Sequence, residues 1–111
     1  MASSSSLTNL HLGHASRITD ADLAEALPGL TRLRKLHVDR MKFSEEAAAA
    51  TATLTNLTYL LVANTTTLND AALARLTPLT RLNELVIEGT RVTPEGVAAF
   101  QQALPNCRVK R

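Results

Sequence analysis

One pattern of leucines occurs four times along the chain and restricts its fold more than any other feature. The pattern is Leu-x-x-Leu-x followed by Leu, Val or Ile, and its copies begin at Leu7, Leu33, Leu57 and Leu82. These starts lie 26, 24 and 25 residues apart. Because a regular period of this length is the signature of stacked structural units, we expect a solenoid in which neighbouring copies share one core.

Each copy predicts a strand followed by a helix. Apolar and polar residues alternate, as in Leu10-His11-Leu12, which is typical of a short strand with one buried face. Apolar residues then return at helical spacing. Residues suited to cap a helix precede each of these segments, namely Thr19, Ser44, Asn69 and Thr93. The units should therefore stack into a curved parallel sheet with a row of helices on its convex side.

The fourth unit carries a resemblance to a known family. Residues 82–100 read Leu-Asn-Glu-Leu-Val-Ile-Glu-Gly-Thr-Arg-Val-Thr-Pro-Glu-Gly-Val-Ala-Ala-Phe. This segment resembles the leucine-rich-repeat family, in particular its ribonuclease-inhibitor-like branch with short bacterial-type repeats. The resemblance covers residues 7–109 and implies an α/β horseshoe fragment of four to five strands. It also implies a non-catalytic module that binds a protein partner on its concave face.

The resemblance also sets the expected domain boundaries. Residues 1–6 are expected to be a disordered polar stretch, and residues 7–111 a single domain of about four repeats with a short terminal strand at 107–109. The second repeat departs from the pattern, since alanines at 47–50 and the segment Thr51-Ala52-Thr53 replace larger apolar residues. We therefore expect its helix to be thin or loosely packed.

Composition and charge narrow the function classes. A net charge of +2 gives no field strong enough to favour nucleic acid as a partner. The single cysteine, Cys107, cannot form an internal disulfide and is interpreted as a core residue. The sequence has no signal peptide and no apolar window long enough to span a membrane, which predicts a cytoplasmic protein that does not bind membranes.

The sequence shows no arrangement typical of catalysis. It has no Ser/His/Asp set, no paired catalytic carboxylates and no glycine-rich phosphate loop, and its four glycines are isolated. We therefore expect no enzymatic activity and no cofactor.

The residues between the repeated leucines should face out of the sheet in rows. One row is expected to hold Asn9, Lys35, Tyr59 and Glu84, a second His11, His37, Leu61, Val86 and Arg108, and a third Gly13, Asp39, Ala63 and Glu88. Adjacent strands lie roughly 4.8 Å apart, so neighbours in a row should touch.

These rows predict a partner-binding surface. Tyr59, Leu61 and Val86 form an apolar patch with charged residues around it, which is the composition of a protein-binding surface. The predicted binding residues are Lys35, His37, Asp39, Tyr59, Leu61, Glu84, Val86 and Glu88. The alternative is a set of scattered exposed apolar residues, which are common on any protein.

Two further clusters have competing interpretations. His11 and His37, with His14 and Asp39 nearby, could ligate zinc, but surface histidines without a metal are the favoured reading. A basic cluster in the second repeat comprises Arg32, Arg34, Lys35, Arg40 and Lys42. Acidic residues lie among these in the sequence and no aromatic platform is interleaved, so a solvated mixed-charge face is favoured over phosphate binding.

The first strand predicts an assembly edge. Repeat proteins normally need a polar cap at each end, and residues 1–6 are too few to cover the first repeat. Leu7, Leu10 and Leu12 are therefore expected to meet a protein partner of unknown identity, a second copy in a homo-oligomer, or another part of the natural protein. This supports an alternative function, that of a structural subunit that assembles through its N-terminal edge.

Overall fold

Five strands form one parallel sheet in the computed structural model, which describes residues 8–13 and 19–111. The strands are β1 (Asn9–Gly13), β2 (Lys35–Asp39), β3 (Tyr59–Ala63), β4 (Glu84–Val86) and β5 (Arg108–Lys110). Each strand pairs with the next in chain order, so the sheet order is the sequence order. The predicted parallel sheet and its terminal strand are confirmed. Leu7, His14 and the expected polar stretch at 1–6 lie outside the described residues.

A helix follows each of the first four strands. The helices are α1 (Asp20–Ala26), α2 (Glu45–Thr51), α3 (Asp70–Ala74) and α4 (Pro94–Ala103), and a 3-10 helix at Leu27–Gly29 continues α1. The predicted caps stand at all four starts: Thr19, Asn69 and Thr93 each accept a backbone N–H three residues on, and Ser44 is the N-cap of α2. None of the described helices is long and apolar enough to cross a membrane.

The core lies between the sheet and the helices. The first two leucines of the second, third and fourth patterns are fully or almost fully buried, as at Leu33, Leu36, Leu57, Leu60 and Leu85. Burying one such side chain contributes about 1.5–3 kcal/mol relative to leaving it in water. Each repeat supplies only part of this core, so it depends on its neighbours to bury its apolar side chains.

The helix of the second repeat is not thin or loosely packed, contrary to expectation. α2 has seven residues, as many as α1, and Ala47 and Ala48 are completely buried. Thr51 is also buried, and its hydroxyl donates to the Ala47 carbonyl at 2.8 Å, which satisfies its polar atom. Small side chains allow a helix to approach its neighbours closely. The alanines therefore fill the core because α2 lies nearer to its neighbours, and not because their side chains are large.

Candidate functional site

The outward-facing residues of the sheet form the rows that the leucine pattern predicts. Tyr59 lies between Lys35 on one side and Glu84 on the other. The second row places His11 opposite His37, and the third places Asp39 opposite Ala63. The predicted neighbours that lie within strands β1 to β4 are therefore confirmed, whereas Glu88 follows the end of β4.

The last strand is displaced by two residues from the predicted row. Arg108 lies opposite Glu84, whereas Lys110 lies opposite Val86. The reason is the position of Cys107, whose N–H donates to the Leu104 carbonyl just as Leu82 bonds to Leu79. Cys107 thus occupies the place of the first leucine of the pattern, but one residue fewer separates it from the strand core. The prediction that Arg108 follows Val86 was wrong for this reason.

Three rings form a continuous stripe across the first three strands. The centroids of His11 and His37 lie 4.0 Å apart with an interplanar angle of 21°, and those of His37 and Tyr59 lie 5.2 Å apart at 38°. We call His11, His37 and Tyr59 the aromatic stripe. The contact between His37 and Tyr59 was missed from the sequence because the two residues belong to different rows. Their diagonal spacing on adjacent strands was the available signal, since long side chains reach such neighbours.

Two members of the stripe are uncharged at neutral pH. Burial, the neighbouring His11 and the cation of Lys35 lower the pKa of His37 from its ordinary 6.5. Burial together with Glu84 and Glu88 raises the pKa of Tyr59 above its ordinary 10.0. At pH 7 the imidazole of His37 is therefore neutral and the phenol of Tyr59 keeps its proton.

The apolar patch is narrower than the sequence indicates. Leu61 and Tyr59 are partly exposed, whereas Val86 is only 6% exposed and Ala63 only 7%. Val86 lies beside Leu61 in the same row but offers little area to a ligand. Leu61 and the aromatic stripe provide most of the accessible apolar surface.

Charged side chains surround this surface. Lys35 and Glu88 are exposed, and Glu84 lies 3.8 Å from the ammonium group of Lys110. Asp39 accepts a hydrogen bond from the Asn64 side-chain amide at 2.9 Å. The result is an apolar and aromatic centre with a polar rim, on a backbone fixed by the sheet.

The described side chains considered for metal binding or nucleophilic chemistry lie in two places, the stacked pair of His11 and His37 and the thiol of Cys107. Among the described residues, no three His, Cys, Asp or Glu side chains are placed to hold one metal ion. His14, the third histidine considered from the sequence, lies outside this part of the chain. Cys107 is 3% exposed, and burial followed by the charge of Glu84 raises its pKa to about 11. Its thiol is therefore protonated at neutral pH and is a core group, as predicted.

The outer strand β1 differs in burial from the strands inside the sheet. In the described part of the chain it pairs with β2 alone. Leu10 and Leu12 are partly exposed, whereas their partners Leu36 and Val38 are fully buried. The edge therefore presents both backbone hydrogen-bonding groups and apolar side chains.

Stacked strand–helix units with a shared leucine core define this fold as a leucine-rich-repeat solenoid. The structure is similar to that of a leucine-rich-repeat protein of Leptospira interrogans, with a TM-score of 0.67 and 22% sequence identity over 95% of this chain. The likeness covers 25% of that protein, so this chain spans about a quarter of its length. At this identity the likeness shows the fold. No protein-family model and no curated protein matches the sequence.

Proposed function

We propose that this chain is a non-catalytic protein-interaction module whose concave sheet face binds a protein partner. The observation that supports this most directly is the aromatic stripe, which continues into Leu61 across three adjacent strands. Aromatic side chains provide large contact areas at a small cost in conformational entropy and are enriched at the centres of interfaces. Since the sheet already holds these rings in place, little ordering is needed when a partner binds.

The charges around the stripe support the same function. A binding surface typically has an apolar centre and a polar rim that selects the partner. Lys35, Asp39, Glu84 and Glu88 would form that rim, with both signs represented. The proposed binding set is therefore His37, Tyr59 and Leu61 in the centre, the largely buried Val86 beside Leu61, and these four charged residues around them.

The test is affinity capture from a lysate of the source organism followed by mass spectrometry and purification of the captured protein. A Tyr59→Ala/Leu61→Arg variant should lose the partner, with Kd rising at least about tenfold, because it removes an anchor and buries a charge. The matched control is Ala49→Arg/Ala71→Arg, which places two arginines on exposed positions of α2 and α3. It should retain the partner at wild-type affinity.

Either of two results would contradict the proposal. Equal capture by both variants would show that the concave face is not the binding surface. Loss of capture by the control alone would assign binding to the convex helices. Circular dichroism and thermal melting of each variant establish beforehand that the fold is intact.

A second candidate function is assembly through β1, and the partial exposure of Leu10 and Leu12 favours it. In this case the chain would be a structural subunit whose first strand pairs with a partner or a second copy. Sedimentation velocity distinguishes the two functions, because Leu10→Arg should dissociate an edge-mediated assembly and Tyr59→Ala/Leu61→Arg should not. A chain that is monomeric at all concentrations and binds only through the concave face would exclude this candidate.

A further inference from the structure

An open groove of about 360 Å³ lies at the amino ends of the first strands and is lined by Thr8, Arg32, Arg34 and Asn56. Backbone hydrogen bonds fix its floor: the Arg34 N–H donates to the Thr8 carbonyl at 2.7 Å, and the Thr58 N–H donates to the Arg34 carbonyl at 2.8 Å. Lys35, the first residue of β2, directly follows Arg34 and begins the rim of the aromatic stripe. The groove therefore adjoins the surface proposed to bind a protein.

The structure separates the basic residues that appeared as one mixed cluster in the sequence. Arg32, Arg34 and Lys35 lie at the amino end of β2, whereas Asp39 ends that strand and Arg40 and Lys42 follow it. Four residue steps along a strand cover about 13 Å, so Asp39 does not neutralise the arginines of the groove. The basic residues therefore form two groups, one at each end of β2, and the sequence expectation of a solvated mixed-charge face stays a prediction.

The two groove arginines have no acidic partner in the described part of the chain. The ion pairs found there join Arg75 to Glu45 and Lys110 to Glu84, and neither includes an arginine of the groove. Residues 1–7 and 14–18, which lie outside the described residues, contain no aspartate or glutamate. Both arginines are exposed, and within residues 8–13 and 19–111 their guanidinium donors remain available to an anion.

The positive surface continues into the third and fourth repeats. The Asn56 amide donates to the Thr31 carbonyl at 3.0 Å and accepts from the Arg81 guanidinium at 3.0 Å. Arg32, Asn56 and Arg81 occupy equivalent places in three consecutive repeats, as the pairing of Lys35, Tyr59 and Glu84 requires. Two strand spacings make this row about 10 Å long, so it matches an extended ligand better than a single small ion.

We propose that this groove binds an acidic segment of the protein partner, whose Asp or Glu carboxylates pair with Arg32 and Arg34. This inference rests on the proposed function, because it specifies the chemistry of that partner. A guanidinium group donates two parallel hydrogen bonds to one carboxylate, a geometry that lysine does not provide. The four groove-lining residues include no aromatic ring on which bases could stack, which favours a peptide over a nucleic-acid strand.

The test uses a fluorescein-labelled hexaglutamate peptide and fluorescence anisotropy. Wild type should bind the peptide at low ionic strength and more weakly at about 0.15 M salt, where the screening length falls to about 8 Å. Arg32→Gln/Arg34→Gln should weaken binding at least about tenfold. The matched control, Arg40→Gln/Lys42→Gln, removes the same two charges beyond the other end of β2 and should change Kd less than about twofold.

A conservative variant separates charge from hydrogen-bond geometry. Arg32→Lys/Arg34→Lys keeps both charges but loses the paired donors, so its affinity should fall between wild type and the glutamine variant. This variant also keeps the test decisive if the glutamine variant fails to fold, which circular dichroism would reveal. Lysine binding as tightly as arginine would contradict the proposed carboxylate contacts.

Four other outcomes would overturn the proposal. These are no binding of hexaglutamate to wild type, equal weakening by the two glutamine variants, complete displacement of the peptide by millimolar inorganic phosphate, and tighter binding of a hexathymidine oligonucleotide. The third would indicate a site for a small anion, and the fourth a nucleic-acid site.

Failure of this proposal is distinguishable from failure of the proposed function. The Tyr59→Ala/Leu61→Arg variant leaves the groove intact and should still bind hexaglutamate, whatever the capture experiment shows. Conversely, the Arg32→Gln/Arg34→Gln variant keeps Tyr59, so its loss of hexaglutamate binding would report on the groove alone.

Discussion

At the scale of single residues, one backbone position after each central strand adopts a left-handed conformation. Arg40, Asn64 and Gly89 have φ values of 59°, 55° and 71° and follow β2, β3 and β4 at equivalent places. The N–H of Arg40 donates to the Ala63 carbonyl at 3.1 Å, and that of Asn64 donates to the Glu88 carbonyl at 2.8 Å. The turns at Arg40 and Asn64 are therefore held in this conformation by the next repeat, and only Gly89 is a residue that adopts it without strain.

Arg40→Gly should stabilise the protein. A residue with a side chain pays roughly 1–2 kcal/mol in the left-handed region, and part of this gain is offset by the larger entropy that glycine has in the unfolded chain. We expect the free energy of unfolding in urea to rise by about 0.5–1 kcal/mol. Arg40→Ala is the control and should give no such gain, because alanine retains the Cβ. A glycine variant less stable than wild type would contradict this account.

Gly89→Ala should have the opposite effect. An added Cβ would lie 2.7 Å from the Asn64 side-chain oxygen and 3.1 Å from its Cα, at a φ that alanine rarely adopts. We expect a loss of about 1–3 kcal/mol by urea denaturation. Combining it with Asn64→Gly removes the contact with the side chain and should recover part of the loss. If the double variant loses as much stability as Gly89→Ala alone, the whole loss comes from the backbone conformation of residue 89 and none from the contact with Asn64.

These residue-scale features were only partly visible in the sequence. Asn and Gly are common in left-handed turns, so two of the three positions carried a signal, whereas Arg40 carried none. Its conformation is imposed by the hydrogen bond from its N–H to the next repeat. The stacking of His37 on Tyr59 was hidden for a similar reason, because side-chain reach across strands depends on rotamers as well as on row order.

At the scale of secondary-structure elements, one carboxylate ties the starts of two helices together. Asp70 in the first turn of α3 accepts the Thr93 N–H at 2.8 Å and the Thr93 hydroxyl at 2.5 Å. That hydroxyl in turn accepts the Gly96 N–H at 3.1 Å as the cap of α4. A side chain at Gly96 would overlap the Asp70 carboxylate, so the hydrogen bonds of Asp70 to Thr93 leave no room for one there.

Asp70→Asn should destabilise the protein at neutral pH and have little effect in acid. Hydrogen bonds from the Thr93 side chain and backbone, aided by Arg111, lower the pKa of Asp70 below its ordinary 3.8. Because the folded-state pKa is the lower one, the stabilisation is complete above pH 3.8 and is lost as the pH falls through the folded-state value. Urea denaturation at pH 7, 5 and 3 should show a difference that shrinks only at the lowest pH. A difference in stability between wild type and Asp70→Asn that stays the same at all three pH values would contradict a stabilising role for the Asp70 charge.

The helix starts and the buried residues of the strands were predictable from the sequence, whereas the register of β5 against β4 was not. Caps such as Thr19 and Asn69 act locally, so residue type is enough to find them. The position of Arg108 depends on two facts: Cys107 takes the place of a leucine, and one residue fewer connects it to the strand. Residue type alone does not reveal this shorter connection. The tight packing of Ala47 and Ala48 likewise depends on how closely neighbouring helices approach.

At the scale of the whole molecule, stability should vary along the stack. Each repeat contacts mainly its neighbours, so an inner strand is supported from both sides and an outer strand from one. Leu60 is completely buried in β3, whereas Leu10 in β1 is partly exposed. The arrangement of charge, too, belongs to this scale, since the arginine groove is separated from Asp39 only once β2 is extended. The distance between these charges in the fold therefore cannot be judged from their closeness in the sequence.

Leu60→Ala should cost about 2–5 kcal/mol, because the cavity is surrounded by fixed neighbours. Leu10→Ala should cost less than half as much, since its side chain is not fully removed from water. Urea denaturation measures both, and amide hydrogen exchange should show stronger protection in β3 than in β1. Equal costs at the two positions would contradict a stack that weakens toward its first strand.

Neighbouring repeats share one backbone register, so the chain can be extended by copying one of them. Asn56 bonds to Thr31 in the preceding repeat and to Arg81 in the following one, and its repeat pairs residue for residue on both sides. A tandem copy of residues 35–58 inserted after Thr58 would repeat at each new boundary the backbone register that β2 shares with β3. Gene duplication would thus lengthen the scaffold by one strand, about 4.8 Å.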